Sequence, residues 1–307
     1  MAGINTGSVA EHLAPGIRDI IGTRLGGRES HYSRLYNVES TVRNYEDYLD
    51  GTGLPIAVTK PQGVDIQSYD PIEGSTKRLT PAVTAIGFEV TEEAWEDDLY
   101  ANQGSVIREA ANGLADSLAE RVEIDAHRPF NAEGFDGTFT VLPDSSEFFN
   151  VTHVPITGGQ GVSQGNEPST NADLNVTSLR TCFTTFKRYK DDQNKRIPGF
   201  VRAVSLHVPP ELEYVAEEIL QRGNRPDTAN LVKNVTGGAV SVHCDPYMDG
   251  TDDWFVRSAN IRTYFLWRWR PRMDSFDDRR ARVSIHVAYQ RYSYAPVHWL
   301  GWYGSQG

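Results

Sequence analysis

Apolar positions along the chain fall into three helical stripes and a late run of strands. The longest stripe is Trp95, Leu99, Val106, Ala110, Leu114, Leu118 and Val122, which predicts a helix over 91–127. Thr91 is a suitable N-cap, Glu92, Glu93, Glu96, Asp97 and Asp98 complement the dipole of the first turns, and Pro129 ends the run. Such a helix would be about 55 Å long at ~1.5 Å per residue, long enough to cross a whole domain as a strut. A second stripe, Leu179, Cys182, Phe183 and Phe186, predicts a helix near 174–191. A third follows Pro209-Pro210, with Leu212, Val215, Ala216, Ile219 and Leu220. Between these two helices, Phe200, Val204, Leu206 and Val208 mark a buried strand. Beyond residue 239 the pattern turns to strands at Ala239–His243, Trp254–Arg257, Arg262–Trp269 and Arg282–Tyr292. The last two read as an antiparallel pair joined by a projecting tip at 270–280, because Pro271 interrupts the run.

The first ninety residues lack a core of their own. In 1–45, six glycines and Pro15 break every would-be element, and the one apolar stripe, Ile17, Ile20, Ile21 and Leu25, is short. The segment reads as an arm. Residues 46–90 alternate weakly and are punctuated by Pro55, Pro61, Gly63, Pro71, Gly74 and Pro81. A polar hairpin this long, with so little to anchor it, projects from the body or needs a partner. Neither a regular helix–strand alternation nor all-β spacing fits, so the fold class is α+β.

Composition adds two facts. The chain has 307 residues and a formal net charge of −11, against the profile of a basic nucleic-acid binder. Of its 30 basic residues only Lys60, Lys77, Lys187, Lys190, Lys195 and Lys233 are lysine, and five of its six Trp lie beyond residue 250. Arginine and aromatics are enriched in contact surfaces while lysine is depleted there. No apolar run approaches the ~20 residues of a membrane span, and Met1 to Leu25 lack the layout of a signal peptide. Two cysteines, Cys182 and Cys244, make no disulfide framework.

The candidate chemistry is thin. Gly159, Gly161 and Gly165 do not have dinucleotide-loop spacing and follow no strand. Asp245, Asp249, Asp252 and Asp253 crowd one segment without matching a calcium loop, and a solvated turn is the favoured reading. The eight histidines show no zinc-binding spacing, and there is no GxSxG elbow. No catalytic residue, metal or cofactor is expected. Arg257, Arg262, Arg268, Arg270, Arg272, Arg279, Arg280 and Arg282 form a lysine-free basic stretch interleaved with Tyr264, Phe265, Trp267 and Trp269. In a regular strand Trp267 and Trp269 would share the core face, leaving Arg268 and Arg270 outside to meet carboxylates of a neighbour. A stacking platform for single-stranded nucleic acid is the competing reading of that strand. A sugar-binding surface built on Tyr294, Trp299, Trp302 and Tyr303 is another.

The order of elements is arm, polar hairpin, strut helix, mixed body, then long antiparallel strands with a tip. It resembles the tailed-bacteriophage major capsid proteins of the HK97-type fold, among them the Mu-like major head subunits. The residues carrying the resemblance are Gly87 to Leu99, Val208 to Leu220, Asn230 to Asn234 with Gly237-Gly238, Val242 to Tyr247, Asp252 to Phe255 and the terminal Tyr303 to Gly307. It implies an N-arm at 1–45, an E-loop hairpin at 46–86, and a peripheral domain over 87–170 with its spine helix at 91–127. It further implies an axial domain over 171–260, peripheral strands over 261–292 with a tip loop at 270–280, and a return to the axial domain over 293–307. Pentamers and hexamers of this chain would form an icosahedral shell around dsDNA, which an acidic wall contacts only non-specifically. The partners implied are other copies, a separate scaffolding protein, a portal protein and a cement or decoration protein. Assembly would take place in the host bacterial cytoplasm, with no membrane. The expected inter-subunit contacts are Ile17, Ile21, Lys60, Lys77, Arg78, Arg270, Arg272, Arg279 and Arg280. An encapsulin-like compartment shell is the alternative within the same fold.

Overall fold

The computed structural model describes residue 24 and residues 29–49, 53–72, 74–91, 93–94, 106–137, 142–155, 159, 161–200, 202–221, 240–278 and 280–307. Two four-stranded sheets organise them, and a small two-stranded ribbon is attached. The first sheet has the order β1-β8-β9-β4, built from β1 (Asn37–Ser40), β4 (Ala82–Thr91), β8 (Thr263–Asp278) and β9 (Val283–Pro296). Its strands are antiparallel except for β1, which runs parallel to β8. The second sheet has the order β10-β7-β5-β6, from β5 (Ala203–Val208), β6 (Ser241–Cys244), β7 (Trp254–Ser258) and β10 (Trp302–Ser305). The ribbon pairs β2 (Glu46–Leu49) with β3 (Thr76–Leu79).

Four helices pack on these sheets: α1 (Tyr32–Leu35), α2 (Val106–His127), α3 (Val176–Arg188) and α4 (Glu213–Gln221). The α2 stripe is the one read from the sequence. Ala111, Leu114, Ala115 and Leu118 bury against Met273, Ala288, Phe88 and Val90 of the first sheet. Val122 and Ala126, further along, enter the main core. One helix thus bridges two apolar clusters. Residues 95–105 of the expected 91–127 helix lie outside the described residues. Thr91 itself ends β4, and its hydroxyl accepts from the Ala94 N–H at 3.2 Å. On α3, Asn175 Oδ1 accepts from the N–H groups of Thr177 and Ser178, and Ser178 Oγ accepts from the Asn175 N–H, closing a capping box. Its stripe buries Leu179, Cys182 and Phe186.

The main core is aromatic and continuous between the two sheets. Phe130 is fully buried and meets Tyr36, Phe148, Phe149, Phe255 and Trp302 with ring centroids 4.6–6.1 Å apart. Gly304 lets β10 lie close to these rings, since a Cβ there would come within 2.8 Å of Phe149 and Phe255. The strand Phe200–Val208 of the sequence reading starts later: Phe200 closes a 3₁₀ turn and β5 begins at Ala203.

Four sequence expectations change. Residues 31–40, inside the expected arm 1–45, belong to the body. Leu35 and Tyr36 are buried, and β1 extends the first sheet, with Val38 opposite Phe265. The tip is shorter than 270–280, because β8 continues through Pro271 to Asp278. Register shifts between Trp267 and Trp269, and between Trp269 and Arg272, accommodate the missing proline N–H. The same shifts break the alternation that placed Trp267 and Trp269 on one face: Trp267 is buried in the core and Trp269 is half-exposed. The C-terminal crossing to the second sheet starts after Pro296 rather than at 293.

Candidate assembly surfaces and the buried polar junction

The ribbon anchors an extended excursion. Asp47 and Arg78 sit opposite each other on β2 and β3, and Arg78 Nε and Nη2 donate to the two Asp47 oxygens at 2.7 and 2.8 Å. This fork lowers the Asp47 pKa, and the Arg78 guanidinium also lies 3.9 Å from the Tyr45 ring centroid. Tyr48 stacks on Tyr264 of β8 at 4.2 Å, fastening the ribbon to the first sheet. Residues 53–72 beyond the ribbon hold no strand or helix. Their apolar side chains lie in the open: Leu54 is 52% exposed, Ile56 57%, Val58 62%, Val64 53% and Ile66 77%. Leu54, Ile56 and Val58 alternate, as in an extended segment that presents one edge to a surface.

The expected contact residues divide accordingly. Ile17, Ile21 and Arg279 lie outside the described residues. Lys60 is exposed on the excursion. Lys77 is half-buried on β3, and burial lowers its ammonium pKa. Arg78 is engaged within its own chain by Asp47. Arg270 and Arg272 are exposed on β8 and close to each other. Arg280 stands apart in the hairpin turn, where its N–H donates to Asp278 Oδ1 at 2.9 Å. The sequence reading missed Arg291, which approaches Trp269 from β9. Only strand register reveals that neighbour.

The C-terminal aromatics are core, which overturns the sugar-binding reading. Trp302 is fully buried, Tyr303 is 4% exposed and Trp299 is 8% exposed. Trp299 stacks face to face on His153 at 4.8 Å, and the two His153 nitrogens face Asp144 Oδ2 at 2.7 Å and Asn166 Oδ1 at 3.1 Å. Of the late tryptophans only Trp269 is available to a partner.

A polar junction lies beneath the second sheet. Ser205 and His207 share a face of β5 as residues i and i+2. Ser205 Oγ lies 2.9 Å from His207 Nε2, and His207 Nδ1 lies 2.6 Å from Asp245 Oδ2. With Nδ1–H donating to the carboxylate, Nε2 accepts from the serine hydroxyl. The order Ser–His–Asp is that of a nucleophilic triad. Here all three side chains are buried and the imidazole sits 5.4 Å from the Trp302 ring, so the chain of bonds is closed to substrate. It serves as a tie. The other Asp245 oxygen faces His31 Nδ1 at 3.4 Å, reaching the segment before α1. Burial raises the Asp245 pKa, but the His207 hydrogen bond and the charges of His207, His127 and His31 together bring it below the usual value. Nearby, the buried Glu123 carboxylate on α2 accepts from the N–H groups of His31 and Tyr32 at 3.0 and 2.9 Å. Burial lowers the pKa of His127, one turn further on. Among the described residues no group of three or more His, Cys, Asp or Glu is arranged to hold a metal ion, and no helix is long and apolar enough to cross a membrane.

Two packed sheets, a strut helix and an uncovered excursion define a shell-forming fold, that of HK97-type major capsid proteins. The chain belongs to the phage capsid protein family, whose sequence profile matches residues 75–305. A search of curated proteins gave no match. Solved structures share the fold at low identity. The capsid of cyanophage P-SCSP1u aligns with a TM-score of 0.56 at 7% identity, over 90% of this chain and 88% of that one. The capsid of bacteriophage JBD30, decorated with minor capsid protein trimers, aligns at 0.55 and 13% identity, over 72% and 92%. A virus-like particle from Pyrococcus furiosus aligns at 0.53 and 6% identity, over 95% and 98%. Two of the three are phage capsids, and the family match favours a phage capsid over the encapsulin-like alternative.

Proposed function

We propose that this capsid protein builds the wall of an icosahedral phage head by lending residues 53–72 to an adjacent copy. The uncovered apolar row on that segment carries the reading: five large side chains, each more than half exposed, have no cover in their own subunit. Burying such a row against a neighbour contributes roughly 25 cal/mol per Å² of apolar surface, repeated at every subunit of a shell. In this reading 46–86 is the E-loop and α2 the spine helix. The first sheet belongs to the peripheral domain and the second to the axial domain. Pentamers and hexamers follow from heterologous contacts that close into rings. The chain acts as a structural protein without enzymatic activity, a reading the capsid family match supports. A separate scaffolding protein, a portal and a decoration protein are the partners, and dsDNA is enclosed without specific contacts. Assembly takes place in the host bacterial cytoplasm. The test is overexpression with and without a co-expressed scaffolding protein, read by sedimentation and negative-stain imaging. Closed shells are expected; a well-folded monomer under both conditions would overturn the reading.

A further inference from the structure

The first sheet carries a cationic aromatic cluster on the side away from α2. Trp269 stands opposite Arg291, and Arg272 opposite Tyr289, so these four share a face across β8 and β9. The opposite face, with Met273 and Ala288, is the one that α2 covers. The guanidinium carbons of Arg268, Arg272 and Arg291 lie 5.9, 5.4 and 5.5 Å from the Trp269 ring centroid, and Tyr289 meets that ring edge-on at 6.1 Å. Arg270 instead lies 5.0 Å over Trp267, the ring of the core face, and stands outside the Trp269 group. Arg268 donates to Asn44 Oδ1 and Arg291 to the Pro81 carbonyl. Among the described residues none of the four guanidiniums has a carboxylate within 4.0 Å. The acid beside the cluster, Asp274, accepts from the Tyr289 hydroxyl at 2.8 Å. Arginine and tryptophan together form the side-chain chemistry of interface hot spots, and a carboxylate is the partner that satisfies a guanidinium best.

The chain itself carries the complement. Its densest acidic run is 92–98, Glu-Glu-Ala-Trp-Glu-Asp-Asp, with five carboxylates and one indole in seven residues. Within one subunit that run starts at the wrong end of β4. Arg291 faces Val83, while the run follows Thr91, which faces Val283. The two positions are about 26 Å apart at ~3.3 Å per residue. A second copy has no such constraint. We propose that the Trp269–arginine cluster receives the acidic run 92–98 of a second copy, an inference that rests on the reading of the chain as a shell subunit.

A direct test needs no shell. A fluorescein-labelled peptide of residues 90–100 is titrated into the full-length subunit and followed by anisotropy. Saturable binding is expected. It should weaken at least tenfold in Arg268→Glu/Arg272→Glu, which circular dichroism should show to be folded, and recover when the peptide carries Glu96→Arg/Asp97→Arg. Absence of binding, or binding indifferent to the double substitution, would overturn the inference, as would failure of the charge-reversed peptide to recover. Displacement of the peptide by a single-stranded oligonucleotide that binds more tightly would assign the cluster to nucleic acid and also overturn it. Shell assembly by the wild-type protein, measured separately, reports on the shell reading alone.

Discussion

Asp245 joins three distant parts of the chain: His31 before α1, His207 on β5 and, through charge, His127 on α2. The side chain is fully buried, so its charge depends on these partners for compensation. Removing that charge leaves His207 Nδ1–H and His31 facing a neutral amide. Asp245→Asn is expected to destabilise the subunit by about 3–5 kcal/mol at pH 7, the usual cost of breaking a buried pair from one side. The sign of the pH dependence follows from the lowered pKa. An aspartate depressed in the folded state contributes stability above its unfolded value near 3.8, and that contribution disappears as pH falls through the folded value. His127, also lowered, works in the same direction from higher pH. The folded protein resists protonating it, so stability declines as pH falls below about 6.5. Thermal melts from pH 7 to about 2 should show wild-type stability falling in two stages. Asp245→Asn should start lower and lose the second stage. An unchanged acid limb in the variant would remove Asp245 from this role.

At the scale of elements, the ribbon and its excursion separate anchoring from reach. Asp47–Arg78 and Tyr48–Tyr264 hold the base, while 53–72 carries the uncovered row. Replacing residues 54–70 by a short Gly/Ser linker is therefore expected to leave a soluble subunit whose melting temperature changes by only a few degrees, yet to abolish shells. Loss of subunit folding would show that the excursion is part of the private core. The sequence made this element legible because it shows what is missing, namely a local apolar partner between Leu54 and Ile66. Helices α3 and α4 were legible through their i, i+3, i+4 stripes, and β9 through its length. Strand β1 was not, because Asn37-Val-Glu-Ser has no alternation and owes its state to pairing with β8. The passage of β8 through Pro271 was hidden because a bulge absorbs the proline. The Trp269 cluster was half visible: Arg268 and Arg272 stood out, but Arg291 joins only through cross-strand register. The tryptophans beyond residue 250 looked like interface by composition, but four of the five fill the core, since sequence does not say which face a ring occupies.

For the whole molecule, the two sheets share one aromatic core, so the described residues of both sheets pack as a single body. Among the described residues, a row of open apolar side chains lies on the segment that the ribbon carries. The net charge of −11 suits a wall that encloses a polyanion without gripping it, while the arginine cluster supplies positive charge at one place on the outside of the first sheet. The account therefore stands on where residues 53–72 lie in the assembled particle. A cryo-electron microscopy reconstruction of the wild-type shell measures this directly. It should show 53–72 lying across the adjacent subunit, with Leu54, Ile56, Val58, Val64 and Ile66 buried against it. The same segment folded back on its own subunit, with those side chains covered from within, would contradict the account.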